Sequence, residues 1–311
     1  MKILVTGASG FVGSYVTERL LKDGNEVNIL DHHVYNKNLS DDILENCNVF
    51  EGDIRDEGII SKAIKDCEIV YHFAALVGVD AYSKYKVLTM EVEESGLKNI
   101  CRHAVENRCQ KLIYPSSSAV YGRQAVDSAL NEEILSAPIS NYAIAKRYNE
   151  IYLESLCEEQ KLNSVCLRIF NVYGPRQDER LVIPKFIEKA LNNEPIEIFG
   201  DGRQTRDFVY IDDVVTAAIY AAKKINGYEI INVASGTENS IRSVAKSVIE
   251  NIQSTSYVKY KALPKNRNSF EVNKCIGDIT KLKRLTGFVP QITIESGIKE
   301  TCKYTKEKNC K

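Results

Sequence analysis

The stretch Lys2-Ile3-Leu4-Val5-Thr6-Gly7-Ala8-Ser9-Gly10-Phe11-Val12-Gly13 decides how the rest of the chain is read. Residues 2–5 are largely apolar and read as a strand, and Phe11, Val12, Tyr15, Val16 and Leu20 then recur at helical spacing. Gly7, Gly10 and Gly13 stand where strand passes into helix. In such a turn the first glycine permits the tight bend, the second lets the backbone approach a pyrophosphate, and the third lets helix and sheet pack closely. The helix start contributes free N–H groups and the positive end of its dipole, which hold phosphate without a basic side chain. The competing reading of three neighbouring glycines is a plain turn.

Further strands read at 26–30, 48–51, 69–73, 111–115 and 164–170, and helical patterns separate the early ones. This alternation predicts an α/β fold, a Rossmann-type doubly wound parallel sheet. Beyond residue 171, Pro175, Pro184, Pro195, Gly200 and Gly202 break the pattern into short elements. A helix at 211–224 and a strand at 229–234 return to the first lobe. The expected division is therefore 1–170 plus about 206–234 as the dinucleotide-binding domain. Residues 171–205 and 235–311 form a smaller C-terminal substrate-binding lobe, with the ligand in the cleft between them.

Asp31 closes the second strand, eighteen residues after Gly13. A carboxylate there accepts both ribose hydroxyls and repels a 2′-phosphate, so NAD is favoured over NADP; the alternative is a solvated loop carboxylate. Asp53 and Ile54, after the third strand, are placed to meet the adenine.

Composition narrows the class. The 311 residues are 44% hydrophobic and 27% charged, with a formal net charge of −1, so no global field recruits nucleic acid or an anionic membrane. The longest apolar stretches, such as 214–222, are about half of the ~20 residues that span a bilayer. Nine cysteines form no C-x-x-C pair and stand at no zinc-ligand spacing. No metal is expected, and the thiols read as reduced, in a cytoplasmic protein.

Tyr142 and Lys146 lie one helical turn apart on one face. A nearby cation lowers a phenol from its free value of ~10 and lets the phenolate act as a base. The spacing alone discriminates nothing, because Tyr82, Tyr220, Tyr257 and Tyr304 also have Lys four residues on. Tyr142 is distinguished by following the strand that ends in Ser116-Ser117-Ser118-Ala119-Val120-Tyr121-Gly122. Ligand groups collect at the carboxyl ends of strands in open α/β sheets. The three serines also read as turn or capping residues.

These motifs recur in one order along almost the whole chain. T-G-x-x-G-x-x-G and Asp31 are followed by Gly52-Asp53-Ile54, His72-Phe73-Ala74-Ala75, the serine run, Tyr142 with Lys146, and Arg168-Ile169-Phe170-Asn171-Val172-Tyr173-Gly174-Pro175. Gly200-Asp201-Gly202, Arg206-Asp207-Phe208-Val209-Tyr210 and Asn232-Val233-Ala234-Ser235-Gly236 complete the series. The chain resembles the extended short-chain dehydrogenases/reductases, in their nucleotide-sugar epimerase and dehydratase branch, and is UDP-glucose 4-epimerase-like. The resemblance implies that Tyr142 takes the proton of a sugar hydroxyl while hydride passes from the same carbon to nicotinamide. Lys146 would hold the nicotinamide ribose and keep Tyr142 acidic, and Ser117 would hydrogen-bond the reacting oxygen beside Ser118. It places the cofactor against Gly7, Gly10, Phe11, Val12, Gly13, Asp31, Asp53, Ile54, Ala74, Tyr142 and Lys146. Asn171, Arg206 and Arg267 would hold the phosphates of a nucleotide diphosphate sugar. The plain alternatives are a turn residue for Asn171 and a surface ion pair for Arg206 with Asp207.

The residues after Ser117 bear on the reaction. The family's 4,6-dehydratases carry Asp-Glu there, and its decarboxylases usually carry Glu at the second position; here stand Ser118 and Ala119. Hydride removal at C4 and its return to the other face therefore fit best, which is 4-epimerisation. An NAD-dependent 4-dehydrogenase (or dehydratase) releasing the keto sugar, and a binding protein without turnover, are the other readings. Two segments depart from the family pattern. Met90-Glu91-Val92-Glu93-Glu94-Ser95-Gly96 replaces Asn-Val-x-Gly-Thr and introduces acids, and Arg267-Asn268-Ser269-Phe270-Glu271 replaces Arg-Pro-Gly-Asp. The helices read at 97–105 and 142–156 occupy the positions through which the family forms a four-helix bundle, which implies a homodimer.

Overall fold

The computed structural model describes residues 1–35, 38–76, 85–122, 128–160, 162–262 and 274–309. In chain order its elements are β1 (Lys2–Thr6), α1 (Phe11–Lys22), β2 (Glu26–Asp31), α2 (Asp41–Glu45), β3 (Asn48–Glu51), α3 (Glu57–Ala63), β4 (Ile69–His72), α4 (Lys86–Glu106), β5 (Lys111–Ser117) and a 3-10 turn (Ser118–Tyr121). There follow α5 (Asn141–Gln160), β6 (Asn163–Ile169), β7 (Asn171–Tyr173), α6 (Val182–Leu191), β8 (Ile196–Phe199), β9 (Thr205–Arg206), β10 (Phe208–Tyr210), α7 (Ile211–Lys224) and β11 (Tyr228–Val233). The chain ends with β12 (Asn239–Ser240), α8 (Ile241–Ile252), β13 (Val258–Lys261), α9 (Thr280–Thr286) and α10 (Ile294–Asn309).

Seven strands form one sheet in the order β3-β2-β1-β4-β5-β6-β11, and each neighbouring pair is parallel. The order reverses between β1 and β4, and in open α/β sheets the ligand crevice lies at such a point, beyond the carboxyl ends of the strands. Both faces are covered, as a parallel sheet requires. Because side chains alternate, Ile3 and Val5 of β1 enter one core with Val16, Leu20, Val214 and Ala218. Leu4 enters the other core, with Ile60, Leu97, Ile100 and Leu153. The doubly wound expectation is met. Strand β5 runs to Ser117, two residues beyond the expected end at 115, and this carries the serine run onto the sheet edge.

The broken region after residue 171 resolves into short pairs. β7 and β10 are parallel, β8 and β13 are parallel, and β9 and β12 are antiparallel. Pro184 sits in the first turn of α6, where its missing N–H costs no helical hydrogen bond.

Candidate active site

The glycine turn leaves β1 with Gly7 at φ +67°, a left-handed conformation that a side chain would strain. A Cβ on Gly7 would lie 2.5 Å from the Ala74 nitrogen, and one on Gly13 would lie 2.1 Å from the Gly7 carbonyl oxygen. Turn, helix start and the end of β4 are thus packed backbone to backbone. No side chain caps α1 at Gly10, so the first N–H groups of the helix are available to an anion. The Asp31 carboxylate accepts from the Ser9 and His33 N–H groups at 2.9 and 3.2 Å, which fixes it beside the turn. Asp53 is engaged by Arg55 through a 2.6 Å ion pair, and that guanidinium holds its carboxyl below the usual carboxylate range. Ile54 is buried against α4, where a Cβ on Gly96 would come within 2.3 Å of its Cδ1. These residues fit a dinucleotide: a backbone cradle with a fixed carboxylate at one end.

Beyond β4, Thr6 Oγ1 accepts from the Ala74 N–H at 3.2 Å and lies 2.7 Å from His72 Nδ1. Burial, with the charge of Lys146 adding to it, pushes His72 down to about 3. The ring is neutral at any working pH and serves as a structural partner of Thr6.

Strand β5 and helix α5 bring the candidate chemical groups together. Lys146 is 2% exposed; its Nζ lies 5.6 Å from the centre of the Tyr142 ring and 4.6 Å from that of Tyr114. Ser117 Oγ accepts the Ala119 N–H at 3.2 Å. The capping reading of the serine run thus describes one of its contacts. The hydroxyl proton remains available to a ligand. Ser116 instead braces the helix, its hydroxyl donating to Glu150 Oε1 at 2.6 Å. Glu150 is buried on α5 and receives Arg168 of β6 in a two-bond pair, both bonds 2.9 Å. This pair ties α5 to the carboxyl ends of β5 and β6 and sets the height of Tyr142 and Lys146 above the sheet.

The groups expected to hold phosphates lie on the short strands that follow β6. The Asn171 N–H donates to the Asp207 carbonyl at 3.0 Å, so exposed Asn171 on β7 is held beside the residue that follows Arg206. Arg206 donates to the Thr205 carbonyl at 2.8 Å. Asp207 is not a surface ion-pair partner. It is wholly buried and accepts from Ser235 N, Ser235 Oγ, Gly236 N and Gly277 N at 2.7 to 3.2 Å. Burial pushes its carboxyl up despite these bonds. Arg267 lies outside the described residues.

Two groups enter the site that motif spacing did not assign. Cys275 is packed near Ser118, Arg206 and Asp207, and burial pushes its thiol up to about 11. Glu93 of α4 lies 2.9 Å from Lys146 Nζ with both side chains 2% exposed. The departure of 90–96 from the family pattern was the signal for the second; Gly96 stands at the pattern's glycine, which puts Glu93 at its Asn.

The family model described as "NAD dependent epimerase/dehydratase family" matches residues 3–234. A UDP-N-acetyl-alpha-D-glucosaminuronate decarboxylase of Bacillus cytotoxicus is 32% identical, covering 98% of each chain. A putative UDP-glucose 4-epimerase of Methanocaldococcus jannaschii is 34% identical over 99% of each. Among solved structures, the UDP-glucose 4-epimerase of Thermotoga maritima, crystallised with UDP-glucose, superposes with a TM-score of 0.93 at 32% identity. It covers 99% of this chain and 100% of its own.

Proposed function

The chain belongs to the NAD-dependent epimerase/dehydratase family, and on that premise we propose that it epimerises a nucleotide diphosphate sugar at C4. It is an NAD-dependent enzyme of the extended short-chain dehydrogenase/reductase type. The observation that carries the reaction is the make-up of the β5 end: Tyr142 and Lys146 stand over it, and Ser118 and Ala119 after Ser117 supply no second acid or base. Elimination and carboxyl loss ask for more chemistry than oxidation and return. Gly7, Gly10, Phe11, Val12, Gly13, Asp31, Asp53, Ile54 and Ala74 hold the cofactor, which when bound supplies the hydride acceptor and donor.

Tyr142, as phenolate, takes the proton of the C4 hydroxyl and later returns it. Ser117 donates a hydrogen bond to the reacting oxygen. Lys146 favours the phenolate by its charge. Asn171 and Arg206 bind the diphosphate, the guanidinium through paired donors, and Arg267 joins them. Residues 1–170 with about 206–234 carry the cofactor, and 171–205 with 235–311 carry the sugar nucleotide. The active form is a cytoplasmic homodimer. Ile144, Tyr148 and Ile151 support the dimer: all three are exposed on α5 at 45, 38 and 50%, and they fall on one helical face.

The test is to mix enzyme, NAD and UDP-linked hexoses while following nicotinamide absorbance and the sugar product together. Epimerisation gives the C4 epimer with no net NADH. Stoichiometric NADH with a keto sugar identifies a dehydrogenase, and binding without product identifies a non-catalytic protein. The Bacillus relative gives one further reading specific support, C4 oxidation followed by loss of carbon dioxide. A UDP-linked uronic acid separates it, because only that reaction releases carbon dioxide.

A further inference from the structure

Glu93 brings a carboxylate to the buried end of the proposed base. Its Oε2 lies 2.9 Å from Lys146 Nζ and accepts the Tyr114 hydroxyl at 3.1 Å. Asn149 donates to the Glu93 carbonyl at 3.0 Å and to the Tyr114 oxygen at 2.8 Å. The arrangement is enclosed, with Tyr114, Asn149, Glu93 and Lys146 all buried. It is also incompletely satisfied, since Glu93 Oε1 and Asn149 Oδ1 find no hydrogen-bond partner among the described residues. A buried ion pair of this quality adds little net stability over apolar packing, so fold stability does not account for it.

The neighbours define the charge. Facing Lys146 are Glu93 from α4, Tyr114 from β5, His72 from β4, and Tyr142 and Asn149 from its own helix. His72 is neutral. Tyr114 is protonated, because burial and then the Glu93 carboxylate raise it well above the ordinary phenol value. Glu150 of α5 is answered separately, by the buried Arg168 of β6 and by the partly exposed Arg147 of its own helix. Among the described residues, Glu93 is thus the anion that answers the Lys146 ammonium.

We infer that Glu93 is a positioning residue of the oxidation site, which pins the Lys146 ammonium and sets the pH range in which Tyr142 works. The inference rests on the proposed roles of Tyr142 and Lys146. Its direction follows from charge alone. A nearby anion favours the protonated form of a phenol, so its removal moves the acid limb of the pH–rate profile, where the Tyr142 phenolate forms, to lower pH. A residue that only filled space would change stability and leave that limb in place.

The experiment compares Glu93→Gln, Glu93→Asn, Glu93→Asp and Tyr142→Phe as holoenzymes across a pH series. Glu93→Gln and Glu93→Asn are expected to move the acid limb down by about one pH unit and to lower kcat with KM for the sugar nucleotide within about twofold. Glu93→Asp keeps the charge and the profile, while its shorter reach lowers kcat about tenfold. An unmoved acid limb in soluble Gln and Asn variants, with Tyr142→Phe inactive, overturns this inference alone. An active Tyr142→Phe overturns the catalytic reading and the inference with it. If the Gln and Asn variants do not fold, the Asp variant decides: wild-type kcat overturns the inference, and a kcat loss at unchanged KM and an unchanged denaturation midpoint supports it.

Discussion

Gly10 and Gly13 separate binding from packing, because a methyl group at each would meet a different object. At Gly13 the Cβ would stand 2.1 Å from the Gly7 carbonyl oxygen and 2.8 Å from its carbon, more than an ångström inside ordinary contact. The obstacle is backbone on both sides, and Gly7 cannot retreat because its own Cβ position lies 2.5 Å from Ala74 N. Overpacking of this kind costs about 1–3 kcal/mol or more, and the ~1 kcal/mol that alanine gains over glycine inside a helix offsets part of it. Gly13→Ala is therefore expected to lose about 2 kcal/mol of stability and to open the turn. At Gly10 the same methyl meets only the Gly7 oxygen, at 3.0 Å, so stability stays within about 1 kcal/mol. What it fills is the space through which backbone approaches the pyrophosphate. NAD at a hundred times its Kd stabilises the wild type by about 2.7 kcal/mol. A tenfold weaker Kd in Gly10→Ala reduces that gain to about 1.4 kcal/mol at the same concentration. Urea unfolding followed by circular dichroism, with and without NAD, reads both quantities. Wild-type stability in Gly13→Ala, or an undiminished NAD effect in Gly10→Ala, refutes the reasoning.

Three other outcomes are expected. The folded His72 value of about 3 lies below the unfolded value of 6.5, so between them only the unfolded chain takes up the proton and stability falls as pH falls. The loss between pH 7 and 5.5 is about 1.3 kcal/mol from this group, and denaturant midpoints should show that His72→Asn flattens the slope by that amount. Glu150→Gln leaves the Arg168 guanidinium buried without its counter-charge and should cost about 3–5 kcal/mol, while Glu150→Leu with Arg168→Met recovers much of it. Ile151→Glu puts a charge on the exposed apolar face of α5; sedimentation should then report monomer where the wild type is a dimer, and a monomeric wild type removes the dimer from the proposal.

The first six strands were legible because they rest on local signals: a glycine turn, two-sided apolar strands and helices of one stripe each. Tyr142 was legible for a different reason. Its spacing to Lys146 is shared by four other tyrosines, and only its position after β5 distinguished it. The short strand pairs after residue 171 offered no such handle. β8 pairs with β13 and β9 with β12, unions of short strands far apart in sequence that no local pattern announces. Asp207 has the same character. In the sequence it is simply the neighbour of Arg206; in the fold its carboxylate gathers Ser235, Gly236 and Gly277, and long-range closure alone brings those backbones to it.

The segment 90–96 shows how a departure from pattern becomes chemistry once a helix is drawn through it. Glu93 and Gly96 are three residues apart on α4 and therefore share a face. At Gly96 the helix presses on Ile54, with no room for a Cβ, and at Glu93 it meets Lys146. Ile54 belongs to the proposed adenine end of the cofactor site and Lys146 to its proposed ribose and nicotinamide end. One turn of one helix thus touches both ends. Its backbone is held to α5 by the Asn149 bond to the Glu93 carbonyl. The tight contact at the glycine and the charge at the base are therefore set by the same turn of α4.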